Sequence, residues 1–322
     1  RARPMSGSEF RPEKFGVIGA GPVGCTVAAY LADGGFDVTL CDVEAELVAP
    51  ARSPGIRIEG AEEVVGSVAR TITSVDDFAE EIPDVIFVTS KATALPLIGS
   101  SIQGFHRDGL YVVSWQNGID TEAALVEMLG KRWVLRAVVN YGVELRAPGV
   151  VNMAFHHPPH HLQEMDPASR QAAVGVAQAL TGAGLATERA ERIVDLVWQK
   201  AIMNASMNPI CAVTGLTMAQ VMRDPFLQTT VEGLVREGIR VARANEVLLG
   251  WEYYPHCMEY MRTAGDHRPS MMVDVEKGRR TEVDFLNGKI VRYAEQAGVD
   301  APMNRMIHAL VKGVERVRTR GL

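Results

Sequence analysis

The sequence predicts a two-part molecule, an α/β domain on a mostly parallel sheet followed by an all-helical domain. Three features predict it. A glycine-punctuated strand, turn and helix comes first, further apolar, strand-like segments follow to about residue 155, and beyond about residue 190 the apolar period is almost wholly helical. At 322 residues the chain is long enough for two cores. The expected division is 13–190 for the first domain and 191–322 for the second. Residues 1–12 read as a disordered leader or a remnant of an expression vector.

The first element lies in KFGVIGAGPVGCTVAAYLADGGFDVTLCDV, from Lys14. Phe15, Val17 and Ile18 make a short buried strand that breaks into Gly19, Gly21 and Gly24, a G-x-G-x-x-G. A helix from about Val23 to Ala32 follows, closed by Gly34-Gly35, and a second strand runs from Phe36 to Cys41, before Asp42. The glycines have separate tasks: a tight turn, close approach of backbone to a pyrophosphate, and close packing of helix on strand. The motif stands between a strand and a helix, and Asp42 follows Gly19 by 23 residues. That context reads as a dinucleotide-binding Rossmann domain, not a glycine-rich surface turn.

Gly19, Gly21, Pro22, Val23 and Gly24 would therefore receive the phosphates at a helix N-terminus. Asp42 would accept hydrogen bonds from the adenosine ribose and repel a 2′-phosphate. Val43, Glu44 and Glu46 after it supply no cation, and Arg52 is the nearest. These residues favour NAD(H).

Strands are expected at Val85–Thr89 and Leu110–Ser114, each apolar and suited to a sheet covered on both faces. Lys91 follows the first and Gln116-Asn117-Gly118 the second, so both turns should border a cofactor at the carboxyl ends of the strands. The plainer readings are a surface lysine and a turn asparagine. From Trp133 to Phe155 strand-like alternation returns, broken at Pro148-Gly149. Helices are then expected at about 167–180, 191–207, 217–222, 226–248, 255–263, 270–277, 283–297 and 303–318.

Composition limits the partners. Hydrophobic residues make up 47% and charged residues 22%, with a net charge of −6 and no dense basic run. Nucleic acid and anionic membranes are thus not expected as partners. No apolar stretch approaches a membrane span and no signal-peptide pattern opens the chain. Cys25, Cys41, Cys211 and Cys257 are scattered without a CxxC pair, as for reduced thiols in a cytoplasmic protein. His156, His157, His160 and His161 cluster in FHHPPHHL, but Pro158 and Pro159 deny them helical convergence, so an ordinary loop and no metal is expected.

The run WQKAIMNASMNPI carries Lys200, Asn204 and Asn208 at steps of four. In a helix they line one stripe, flanked by Ile193, Val197, Ile202 and Met203, which look like core. The stripe is either the wet face of an amphipathic helix or a polar strip able to donate a proton and grip an oxygen-rich molecule. Asn208 precedes Pro209, which should end α geometry there.

These segments resemble the ketopantoate reductase (2-dehydropantoate 2-reductase) family, from about Lys14 to Val317. The resemblance rests on GAGPVG, VTSKA, QNGI, WQKAIMNASMNP and RPSMMVDVEKGRRTEVDFLNG. It implies a Rossmann domain followed by a helical domain of the 6-phosphogluconate-dehydrogenase type. It also implies NAD(P)H-dependent reduction of a 2-oxo acid, with NADP(H) the usual cofactor, and homodimers among relatives. By position, Lys200 matches the general acid, and Asn204 and Asn208 match asparagines of the substrate site. Asn117 matches an asparagine near both nicotinamide and lysine, and Lys91 a lysine that contacts the cofactor. Ser270 matches a serine that binds the substrate carboxylate, its plainer role being a helix N-cap. Glu282 matches a glutamate that supports lysine and substrate, its plainer role being a solvated helix start.

Reducing a 2-oxo acid needs hydride at C2 and a proton on its oxygen, which a lysine beside a carboxylate can supply. One departure concerns substrate. Met218 stands in LTM where the family commonly places another substrate-contacting asparagine. An alternative on the same plan is a hydroxyacid, opine-type or polyol-phosphate dehydrogenase, although a phosphate would want more cations than Lys200. A catalytically silent dinucleotide-binding redox sensor is the alternative of another class, and Lys200 with Glu282 argues against it.

Overall fold

The computed structural model describes residues 9–320, so residues 1–8 of the expected leader lie outside the described residues. One unit takes the chain to Gln116 and from Thr121 to Ile193. It runs β1 (Lys14–Ile18), α1 (Pro22–Asp33), β2 (Asp37–Cys41), α2 (Ala45–Val48), β3 (Ile56–Gly60), β4 (Val64–Gly66) and β5 (Arg70–Ile72). Then follow β6 (Val85–Val88), α3 (Leu95–Phe105), β7 (Tyr111–Ser114), α4 (Ala123–Leu129) and β8 (Val134–Val138). The last elements are β9 (Tyr141–Ala147), β10 (Val150–His156), β11 (His160–Glu164), α5 (Arg170–Gly182) and β12 (Thr187–Arg189).

An eight-stranded sheet has the order β12-β11-β8-β7-β6-β1-β2-β5. From β5 to β8 every neighbouring pair is parallel, and β11 turns antiparallel against β8. The chain builds outward from β1 to β5, then returns to β6 and builds the other way. Strand order thus reverses between β1 and β6, where such sheets bind ligands outside their carboxyl ends. Ile18 pairs with both Cys41 and Val88, so Gly19, Asp42 and Thr89 emerge at one level. β6 is buried along its whole length, which suits its apolar sequence VIFV.

Several short strands were not expected. IRIEG, VVG and RTI are only three to five residues long, and β3 and β4 join β9 and β10 in a separate four-stranded sheet. The histidine cluster is likewise not a loop throughout, since His156 ends β10 and His160 opens β11. The Asn140 amide donates to His160 Nδ1 at 3.0 Å, which leaves the ring's proton on Nε2, 3.3 Å from His156 Nε2. Among the described residues no group of three or more His, Cys, Asp or Glu could hold a metal ion.

The second unit joins Asn117–Asp120 to the chain from Val194 onward. It holds α6 (Ile193–Thr214), α7 (Met218–Arg223), α8 (Pro225–Ala244), α9 (Tyr253–Thr263), α10 (Ser270–Glu276), α11 (Asn287–Ala297) and α12 (Pro302–Arg320). No described helix is long and apolar enough to cross a membrane.

The expected break at Pro209 does not occur: α6 runs straight through it to Thr214. Pro209 lacks the N–H that would bond the Ala205 carbonyl. Asn287 Nδ2 donates to that carbonyl instead at 2.8 Å, and to Asn304 Oδ1 at 3.0 Å. Buried Glu237 then takes Asn304 Nδ2 and the Met303 and Asn304 amides. A buried side chain from α11 thus supplies the donor that proline removed. The α8 helix stops at Ala244, short of the expected 248, because Glu246 enters the left-handed region at φ 59° and Val247 N–H bonds back to the Ala242 carbonyl.

Candidate active site

The glycine turn of the first unit is built for close backbone approach. Gly19 has φ +106°, a conformation L side chains rarely adopt. A Cβ on Gly24 would lie 1.8 Å from the Gly19 carbonyl oxygen, so this glycine lets α1 sit on the turn. A Cβ on Gly21 would meet nothing within 4 Å, leaving open space at the helix start. Gly21 is itself the N-cap of α1, and no side chain caps the helix. The amides of the first turn, from Val23 on, are therefore left for an anion.

Asp42 is half-buried at the end of β2. Its Oδ2 accepts from the Ala20 amide at 2.7 Å and its Oδ1 from the Glu44 amide at 3.0 Å. It braces the glycine turn, and each oxygen retains acceptor capacity for a ribose hydroxyl. Thr89 ties the end of β6 to the same turn through the Ile18 carbonyl at 2.9 Å. Ser90 Oγ beside it is buried with no hydrogen-bond partner. Lys91 is half-buried and precedes the short 3-10 turn Ala92–Ala94. An open glycine cradle, an uncapped helix, an anchored carboxylate and an orphaned hydroxyl fit a dinucleotide.

The second unit holds a separate small polar pocket. Its lining is Asn117, Asn204, Asn208, Ser270, Met271, Asp274, Glu282 and Leu286. Five of the residues singled out by sequence thus meet at one place, although three separate stretches of chain supply them. Asn204 and Asn208 come from α6, whose neighbours Ala205, Ser206 and Met207 are buried while the stripe at 200, 204 and 208 is only half-buried. Lys200 stands one turn before Asn204 on that stripe, outside the lining set. Lys200 and Glu282 both engage interacting groups.

Asn117 reaches the cavity through a fastened turn. Gly118 takes φ +114°, and the Ile119 amide donates to the Phe285 carbonyl at 2.8 Å. Asp120, at φ 56°, accepts from Lys289 Nζ at 2.7 Å and Tyr293 Oη at 3.0 Å. The edge of Trp198 packs against the Tyr293 ring, linking this turn to α6.

Ser270 is the first residue of α10 and not its cap, which falls to Pro269. Glu282 is half-buried in a turn before the short Val283–Phe285 helix, so a freely solvated helix start does not describe it. Met218 is buried at the start of α7 and does not line the cavity. Asp274 was missed by sequence reasoning. It lies one helical turn after Ser270, is 2% exposed, and accepts from Arg279 Nε at 3.0 Å. Its spacing of four from Ser270 was the available signal.

The cavity offers three carboxamides, a hydroxyl and two carboxylates. Amides and hydroxyls can hold oxygens of a small ligand by donating or accepting, without adding buried charge. The cysteines are poor nucleophiles: burial pushes the Cys25, Cys41 and Cys211 thiols up to about 12 and Cys257 to about 11.

Two family descriptions match the chain, "Ketopantoate reductase PanE/ApbA" over residues 15–166 and its C-terminal counterpart over 192–315. A 2-dehydropantoate 2-reductase of Archaeoglobus fulgidus is 31% identical over 308 residues, 95% of this chain and 99% of the relative. The chain belongs to the ketopantoate reductase family. Membership makes it an NAD(P)-dependent oxidoreductase acting on CH–OH groups. Among solved structures, a D-mandelate dehydrogenase with NADH and anilino(oxo)acetate is 26% identical with TM-score 0.87, covering 95% of this chain and 99% of that one. A PanE/ApbA family ketopantoate reductase from Ralstonia eutropha JMP134 is 26% identical with TM-score 0.83, at the same coverage.

Proposed function

We propose that this ketopantoate reductase family member reduces a small branched 2-oxo acid to its 2-hydroxy acid, ketopantoate or a close analogue, with NADH preferred to NADPH. The observation that carries the reading is the convergence of Asn117, Asn204, Asn208, Ser270 and Glu282 on one cavity. Lys200 adjoins them on the α6 stripe. The relatives' substrate, as their name states it, supplies the class of molecule.

A bound nicotinamide supplies hydride for the C2 carbonyl carbon. Lys200 acts as general acid, giving its proton to the carbonyl oxygen as charge develops there. Glu282 supports the lysine and the substrate. Ser270 takes the substrate carboxylate, and Asn204, Asn208 and Asn117 orient the remaining oxygens. Gly19, Gly21, Pro22, Val23, Gly24, Lys91 and Asn117 hold the cofactor. Asp42 holds its ribose, and the exposed Glu44 and Glu46 beyond it disfavour a 2′-phosphate.

Oxidation of NADH and of NADPH, followed against a panel of 2-oxo acids that includes ketopantoate, tests this reading. Turnover of a branched 2-oxo acid with NADH favoured is expected. No turnover of any of them would sink the reductase reading, and a clear NADPH preference would overturn the role given to Asp42. A homodimer belongs to the same proposal. Met306, Leu310 and Val317, exposed at steps of four and seven along α12, give it an apolar stripe, and sedimentation velocity reads the outcome.

A further inference from the structure

Glu282 is carried by a turn outside any α-helix, its carbonyl accepting the Phe285 amide at 2.9 Å. The residues around it are nevertheless held from both sides by one helix. Immediately before it, buried Thr281 donates its amide and its hydroxyl to Glu315 Oε1, at 2.7 and 2.6 Å. Two residues after it, Asp284 meets His308 Nε2 through Oδ1 at 2.7 Å and Lys312 Nζ through Oδ2 at 2.8 Å. Lys312 Nζ also lies 2.8 Å from Glu315 Oε2. One ammonium thus joins the two grips.

His308, Lys312 and Glu315 are spaced four and three apart, so they project from one face of α12. An isolated exposed ion pair would add little. Here, however, Thr281 and Glu315 are 2% and 6% exposed, and Lys312 shares Asp284 with His308 while also reaching Glu315. Burial opposes ionisation of Glu315, yet hydrogen bonds from Lys312 and Thr281 draw its carboxyl below the ordinary value. A loose turn would let the Glu282 carboxylate wander by more than the half ångström or so that a reacting group tolerates.

We propose that Thr281 and Asp284, gripped by the His308–Lys312–Glu315 face of α12, are positioning residues that hold Glu282 toward the cavity. The inference rests on the role proposed for Glu282, support of substrate and lysine, whereas these residues act only through it. Because a general acid and its carboxylate titrate together, a displaced Glu282 should alter the pH profile of kcat and not merely its height.

The test compares Thr281→Val with Thr281→Ser, and Lys312→Met with Lys312→Arg, in the full chain. Val221→Ala, at a fully buried core position of α7, serves as a control for stability. Tm, kcat, KM and the pH profile of kcat are read with whichever 2-oxo acid the wild type reduces. Thr281→Val and Lys312→Met should lower kcat by roughly tenfold to a hundredfold, with KM little changed and an arm of the pH profile displaced. Thr281→Ser and Lys312→Arg should restore most of it, and Val221→Ala should lose Tm while keeping kcat. If the first two variants lose no more kcat than Val221→Ala does at equal Tm loss, the brace is only structural and the inference falls alone. If the wild type reduces no 2-oxo acid, the functional reading fails first and takes the inference with it.

Discussion

Lys200 is half-buried between Ala201, Ile202 and Trp198, all of which are core. If it is the proton donor, Lys200→Ala should lower kcat by roughly 10²- to 10⁴-fold. NADH affinity, read by fluorescence titration, should stay close to wild type. A kcat within a few-fold of wild type would dismiss the assignment. Asp120 poses a different question at the same scale. It is a non-glycine residue at φ 56°, held there by Lys289 and Tyr293. Asp120→Ala loses both partners and keeps the left-handed backbone, whereas Asp120→Gly loses the partners but relieves the strain. Glycine should therefore be the less damaging change, by about 1 kcal/mol in denaturant unfolding; the reverse order would mean that the backbone there is not a burden. Lys200, Asn204 and Asn208 were legible because a period of four shows in the letters. Asp120 was not, because neither its φ nor its partners 169 and 173 residues away leave a local mark.

Among the elements, α1 and the central strands were readable from a strong pattern, glycine punctuation and β-branched runs. The weak places were those decided by tertiary partners. Pro209 signals a helix end in any sequence, yet α6 continues because Asn287, 78 residues on, occupies the carbonyl that proline leaves bare. Local reasoning sees the missing donor and cannot see its replacement. The arrangement predicts coupling. Asn287→Ala should destabilise by roughly 1–3 kcal/mol, since it orphans the Ala205 carbonyl and Asn304 Oδ1. In a Pro209→Ala background residue 209 regains an N–H for Ala205, so the same change should cost less, by about 1 kcal/mol. Strictly additive costs in the four-variant cycle would show that Asn287 does not compensate for the proline. The strands β3 to β5 escaped notice for another reason: at three to five residues, and interleaved with charge and glycine, they carry too few positions for a period to show.

Across the whole molecule, the sequence distinguished an α/β half from a helical one because strand and helix periods differ over long windows. It did not reveal that residues 117–120, leaving the carboxyl end of β7, cluster with the helical unit, since that depends on contacts to α11. Charge is the remaining property of the whole chain, with 39 acidic against 33 basic residues. Acid stability should follow the carboxylates whose folded-state partners hold them ionised. Asp284 is the clearest of them: its hydrogen bond with His308, helped against burial by one from Lys312, holds the carboxyl at about 2 against an ordinary 3.8. A carboxyl depressed in the folded state contributes stability above its unfolded value. As pH falls the unfolded chain takes up the proton first, and the contribution disappears as pH passes down through about 2. The gap in unfolding free energy between wild type and Asp284→Asn should accordingly be wider at about pH 5 than at about pH 2.5, read from urea midpoints. Since the Asp284 side chain is 45% exposed, salt should screen part of it, and the gap at the higher pH should shrink on adding salt. A gap that ignored both pH and salt would show that Asp284 holds its turn by shape and hydrogen bonding alone, with no contribution from its charge.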